Sequence, residues 1–153
     1  MRLFLSNLLL AFVWEDISTT QFSLGFVLGF VVLYIFRGLL PEVDYFRRTI
    51  GFIRFLFKFI YKNIISNIIV AREVLTPTHH MKPGFLKLDP ESNTSLEITW
   101  LAATISLIPG TLTVDTSEDD DFLYIHAMHI DDPDQIRKEI LEEIEPAILE
   151  FLR

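Results

Sequence analysis

His126 and His129 are by type the residues best suited to hold a metal ion, but their spacing argues against it. They stand three apart in a β-rich run. Side chains alternate faces along a strand, so an odd separation sends the two imidazoles to opposite sides. His79 and His80 fall in a linker marked by Pro77, Pro83 and Gly84. The acidic run Glu118-Asp119-Asp120-Asp121 offers oxygen ligands, yet it lacks the alternating pattern and terminal glutamate of a calcium loop, and it reads as a solvated hairpin tip. Pro109-Gly110-Thr111 could present backbone N–H groups to an anion. It follows a helix C-terminus, however, whose dipole repels anions, so it reads as a helix stop. Thr104, Ser106 and His126 make no nucleophile signature, and neither a phosphate loop nor a dinucleotide fingerprint is present. The absence of cysteine removes disulfides and thiolate zinc sites. The expectation is a chain with no catalytic residue, no cofactor and no metal, and hence not an enzyme.

The elements around these residues are divided by charge. Residues 1–75 carry eight Lys/Arg against five Asp/Glu, net +3; residues 76–153 carry five against sixteen, net −11. A basic, Phe-rich half joined to an acidic half reads as a membrane region followed by a soluble domain. Nucleic acid is excluded as a partner, because the acidic half repels phosphates.

Two apolar runs open the chain, expected as helices over about 3–14 and 22–40, with the acidic Glu15-Asp16 turn between them. Each is short for the roughly 20 residues that cross a hydrocarbon core. The second comes near that length by borrowing Gly38–Leu40 past a snorkelling Arg37. They read as a membrane hairpin. Gly25 and Gly29 form a GxxxG pair that lets another helix approach closely. Excess Lys/Arg marks the cytoplasmic side, which places both ends of the hairpin and all that follows in the cytoplasm. A cleaved signal peptide fits poorly, since Trp14-Glu15-Asp16 stands where small residues belong. Neither helix has an ionisable residue in its middle, and ion pathways use such residues in relays, so the chain is expected to conduct nothing alone.

After Pro41 a Pro-free helix is expected over 45–75. Arg47, Arg54, Lys58, Lys62 and Arg72 project to one side, and Ile53, Leu56, Ile60, Ile64 and Ala71 to the other. Such a basic amphipathic helix suits the surface of a lipid bilayer, with the cations drawn to anionic lipid. As a third spanning helix it would bury Lys58 and Lys62 at roughly 2.5–3.5 kcal/mol each.

The acidic half reads as β-α-β-β-α. Phe85–Leu88 is a short strand. Thr94-Ser95-Leu96-Glu97 is a capping box that opens a helix to Leu107, apolar nearly all round and expected to be buried on several sides. Thr111–Val114 and Phe122–Ile130 are the next strands. Asp131 or Asp132 caps the last helix, which Pro146 should kink or split.

Three segments then carry a family likeness. Lys82-Pro83-Gly84-Phe85, Leu101–Asp115 with its Ile108-Pro109-Gly110-Thr111-Leu112-Thr113-Val114-Asp115 core, and Leu123-Tyr124-Ile125-His126-Ala127-Met128-His129-Ile130-Asp131-Asp132-Pro133 resemble the E subunit of the Mrp-type (Mnh) multisubunit cation/proton antiporters. Order and spacing extend over nearly the whole chain. Two positions depart: Ala103 stands where members often have Asn, and Ile108 where they often have Thr. The resemblance implies a small accessory subunit of a plasma-membrane complex exchanging Na⁺ or another cation for protons. It implies the other subunits as partners and a scaffolding role outside the ion path. The competing reading is a stand-alone membrane-tethered adaptor whose soluble domain binds a protein or ligand. Gly25, Gly29, Arg54, Lys58, Lys62, Pro109, Gly110 and Thr111 are the candidate structural and interface residues.

Overall fold

Ser18 opens the longer N-terminal helix, its hydroxyl accepting the Gln21 backbone N–H at 3.2 Å. A serine just before an apolar run satisfies a donor that the first turn leaves free. In the computed structural model, which describes residues 2–12, 18–39, 44–77, 81–119 and 121–153, α1 is Arg2–Ala11 and α2 is Thr19–Ile35, followed by a 3₁₀ turn over Arg37–Leu39. The helix expected over 22–40 therefore starts earlier, at the serine cap, and its α-helical part stops at Ile35. Trp14, Glu15 and Asp16, Leu40 and Pro41, His79 and His80, and Asp120 of the acidic tip lie outside the described residues.

The chain divides by packing into two units, residues 1–49 and 50–153. The division falls inside α3, Asp44–Leu75, a single helix of 32 residues. The sequence places its charge boundary later, at 75/76, because composition registers the change of sign and not the packing. Among the described residues, no helix is long and apolar enough to cross a membrane.

On α2, unit 1 buries glycines and exposes several large apolar residues, although Leu3 and Phe46 elsewhere in the unit are buried. Gly25 and Gly29 are the buried residues of α2, while Leu24, Val27 and Ile35 are 56%, 58% and 68% exposed. Asn7 of α1 is fully buried and donates from Nδ2 to the Tyr45 hydroxyl at 3.1 Å. Phe30 and Tyr34 of α2 pack edge-on against Phe46.

Unit 2 is built on a three-stranded antiparallel sheet: β1 (Gly84–Leu88), β2 (Thr111–Thr116) and β3 (Leu123–Ala127), in spatial order β1-β3-β2. Phe85 and Leu112 both stand opposite His126, and a bulge at Val114 shifts the register of β2. Leu86, Leu88, Leu123, Ile125 and Ala127 alternate onto the buried face. There they meet α4 (Ser95–Leu107), α5 (Pro133–Glu139) and α6 (Glu145–Leu152), together with Phe55 of α3. The β-α-β-β-α order is as expected, although β3 ends at Ala127, short of Ile130.

Two helices depart from their sequence patterns. α4 is not buried on several sides: Ile98, Leu101 and Ile105 are in the core, but Leu96 and Leu107 are 60% and 64% exposed. The domain has only one layer of partners to offer this helix, so its apolar back is left uncovered. The last helix is split. Ile140–Ile144 forms a π turn between α5 and α6, and Pro146 lies in the first turn of α6. Proline has no N–H to continue the ladder, and the wider turn absorbs the missing bond while keeping Ile140, Ile144 and Ile148 on the core side.

Candidate functional site: the cleft beneath α3

Within unit 2, the part of α3 around Phe52 and Phe55 is fastened to the domain by aromatic rings. Phe55 lies 5.3 Å from Phe151 and 6.3 Å from Trp100, and Phe52 is edge-on to Phe151 at 5.4 Å. The backbone of Glu150 approaches Gly51 so closely that a Cβ there would stand 3.3 Å from its carbonyl carbon. Charge continues the seam. Arg54 donates to Glu150 at 2.7 Å, and Lys62 pairs with Glu139 and, at 3.0 Å, with Glu143. The basic stripe expected to face lipid is therefore turned, at Arg54 and Lys62, onto the acidic helices of the same unit. Eleven excess negative charges in the acidic half draw the nearest cations inward. Lys58 stays exposed on the same stripe.

Beyond Lys62 the helix and the domain part, leaving a cleft of about 370 Å³. Ile65, Ile69 and Val70 form one wall; Ile105, Ile108 and Ile140 form the other. Lys62, Pro109, Gly110 and Thr111 all line it, so four of the candidate residues come together here. Gly110 sits at φ +90°, the left-handed backbone that ends a helix without a side-chain clash. The Thr111 hydroxyl turns back toward the helix end, 2.6 Å from the Ile105 carbonyl oxygen and 3.0 Å from that of Ile108. It is thus a hydroxyl cap on the C-terminus of α4. The segment is a helix stop, in line with the dipole argument, and it also forms one end of the cleft.

Gly25 and Gly29 are not part of this site. A methyl group at Gly29 would collide with Asn7 Oδ1 and come within 3.2 Å of Leu10 Cβ, so the glycine admits α1 of the same unit. Asn7 Oδ1 is itself buried without a hydrogen-bond partner among the described residues.

The histidines separate, although not by strand alternation: β3 ends at Ala127, and His129 lies beyond it, bridged to Lys82. His126 packs against Phe85 with the rings tilted and their centroids 5.0 Å apart, on the uncovered face of the sheet. His129 lines the cleft, with Nε2 buried 3.8 Å from Glu73 Oε1. Among the described residues no cluster of three potential metal ligands occurs. Asp115 is exposed and accepts the Thr116 N–H at 2.9 Å.

Two glutamates anchor the domain, one foreseen as a cap and one, Glu145, that the sequence reading missed. Glu97 completes the expected capping box: the Thr94 hydroxyl accepts its N–H at 3.3 Å. Its carboxylate also accepts Arg153 Nε at 2.9 Å and the Asn93 N–H at 2.9 Å. The Arg153 hydrogen bond, with help from the backbone N–H groups, holds that carboxyl down at about 2. Glu145 is 1% exposed and accepts both the N–H and the hydroxyl of Ser92 at 2.7 Å. Burial pushes its carboxyl above the usual range, against the pull of those bonds. The available signal was its position, a carboxylate between Ile144 and Ala147 on the inward stripe.

Residues 5–151 match the model of the Na⁺/H⁺ ion antiporter subunit family. The chain belongs to that family. The E subunit of the Na(+)/H(+) antiporter of Bacillus subtilis strain 168 is 36% identical, with 97% of each chain covered. Its counterpart in Alkalihalophilus pseudofirmus is 33% identical over the same shares. Among solved structures, a chain of the Mrp complex from Dietzia sp. DQ12-45-1b aligns with a TM-score of 0.51 at 28% identity, over 67% of this chain and 96% of that one. A chain of the membrane-bound sulfane sulfur reductase, an archaeal respiratory membrane complex, shares the fold with a TM-score of 0.58 at 21% identity and 96% of both chains. In this member of the antiporter subunit family, the site brings together ion pairs, a helix stop and an apolar cleft.

Proposed function

We propose that the chain is an accessory subunit of a multisubunit cation/proton antiporter in the cell membrane, bracing its neighbours and lying outside the ion path. α1 and α2 enter the bilayer as a hairpin, α3 runs along the interface, and the sheet domain stands on the cytoplasmic side. The observation that carries this reading is the burial on α2 and at Asn7 of α1. Glycines and an asparagine are inside, and Leu24, Val27, Leu28 and Ile35 are outside. Water would favour the opposite arrangement, whereas helices in lipid associate through small residues and keep large apolar ones toward the tails. α2 is about 25 Å long and, with its 3₁₀ extension and Arg37, comes near the roughly 30 Å of a hydrocarbon core. On α3, Leu56, Phe57, Ile60 and Ile64 present a second exposed apolar face that suits the membrane surface.

Recovery of the tagged chain from native membranes in mild detergent tests this. Several polytopic antiporter-type proteins should co-purify in fixed ratio, and deletion of the chain should abolish their assembly. Recovery alone, or with one soluble partner, would favour the tethered adaptor. Loss of cation exchange on substituting Asp115, His126 or His129, with the complex intact, would end the scaffold reading.

A further inference from the structure

We propose that the cleft beneath α3 holds one acyl chain of a membrane phospholipid. This rests on the interfacial placement of α3 proposed above. At about 100° per residue, Gly51, Phe55, Lys62, Ile65 and Ile69 fall on one side of α3, within an arc of about 80°. Gly51 and Phe55 are buried there, yet Ile65 and Ile69 are 41% and 46% exposed. Two isoleucines thus face the domain with no side chain of the domain filling the space before them. The helix is not simply frayed away. The gap is bracketed on one side by Lys62 with Glu139 and Glu143, and on the other by Val70 beside Gly110 and Glu73 beside His129. Contacts at both ends hold it open.

The walls select the occupant. Ile65, Ile69, Val70, Ile105, Ile108 and Ile140 offer hydrocarbon, and the volume of about 370 Å³ lies in the range of small-molecule sites, roughly 300–1,000 Å³. Tyr61, which is 66% exposed, stands at the mouth and joins the cleft to the outward apolar face of α3 at Ile60 and Ile64. A helix lying on a bilayer by that face has acyl chains at the entrance, so a lipid tail reaches the cleft without crossing water.

The test uses the full chain in vesicles of phosphatidylethanolamine and phosphatidylglycerol that contain a phospholipid with a photoreactive group near the end of one tail. Cross-linked peptides are mapped by mass spectrometry. Labels are expected on both walls, in 65–70 and 105–108 or 140–144, as well as on the outward residues Ile60, Ile64 and Ile68. Filling the cleft with Ile69→Trp should reduce the wall labels at least fivefold and leave the outward labels unchanged. Val70→Phe serves as a second variant should the first fail to fold. Outward labels without wall labels overturn the lipid site and leave the membrane placement standing. Absence of both sets overturns the two together. Wall labels that persist undiminished in both variants, or a cleft cross-linked in the assembled complex to another polypeptide instead of lipid, also overturn the proposal.

Discussion

Asn7 and Gly29 show how one residue's smallness makes another's burial possible. The asparagine reaches the Tyr45 hydroxyl through the space that a glycine leaves on α2. Gly29→Ala should therefore destabilise unit 1 by about 1–3 kcal/mol, the usual cost of overpacking a close contact. Asn7→Ala should recover part of that loss, which a double-mutant cycle on the detergent-solubilised chain would read as coupling. If Gly29→Ala leaves unfolding unchanged but weakens complex assembly, the glycine serves a foreign helix and not α1. Glu145 and Glu97 pull stability in opposite directions with pH. Glu97, held down at about 2, contributes stability above the ordinary carboxylate value of 4.5 and loses it as pH falls toward 2. Glu145 is raised, so the folded state binds its proton more tightly than the unfolded chain does. Its contribution is most favourable below 4.5 and declines as pH climbs through its raised value. Glu145→Gln keeps an acceptor for Ser92 and removes the buried charge. The melting temperature of the variant should equal or exceed that of the parent at pH 8, with the difference shrinking at pH 5. A fall at pH 8 larger than at pH 5 would contradict this.

Among the elements, α3 does the most with its pattern. Its periodicity announces an amphipathic helix, and the helix is there over Asp44–Leu75. What the pattern could not reveal is which surroundings each face meets. Periodicity reports that charge and hydrocarbon are segregated; it does not say whether the cations find lipid phosphates or glutamates of the same chain. Lys62, with its side chain 20% exposed between two carboxylates, is the point where this matters most. Lys62→Glu places three carboxylates together and should loosen α3 from the α5–α6 face. Faster backbone hydrogen exchange in 55–70 should follow, with the rates in β1 and β3 little changed. Partial rescue by Glu139→Lys would assign the effect to the ion pair. An unchanged exchange pattern in Lys62→Glu would mean the aromatic seam of Phe55, Trp100 and Phe151 alone holds the helix. α4 teaches the converse. Its nearly continuous apolar run reads as buried all round, but a two-layer domain covers only one side.

At the scale of the whole molecule, the parts are those of an assembly component. Unit 1 exposes leucine, valine and phenylalanine, α3 exposes an isoleucine-rich face, and the sheet leaves Phe85, Leu112 and Tyr124 uncovered. Surfaces of this kind are covered in the working state by lipid or by protein. The co-purification experiment is thus expected to find the chain with antiporter-type partners, and a well-behaved lone monomer would contradict it.

Much of this was legible in the residue order. The β-α-β-β-α sequence, the Thr94–Glu97 capping box, the Pro109-Gly110 stop and the Pro146 break are local. Each depends on a dihedral preference, a missing N–H or the alternation of a strand, and so each is written within a few residues. The family likeness was legible too, because it lies in the order of such segments. The tertiary structure alone decided the rest. Ion pairs between residues 96 and 77 apart, such as Arg54–Glu150 and Lys62–Glu139, depend on which helices the core brings together. The burial of Glu145 against Ser92 and the collection of Lys62, Pro109, Gly110 and Thr111 around one cleft have the same origin. A gap between two packed elements has no residue of its own. It arises from the angle at which they meet, and that angle is set by all the contacts at once.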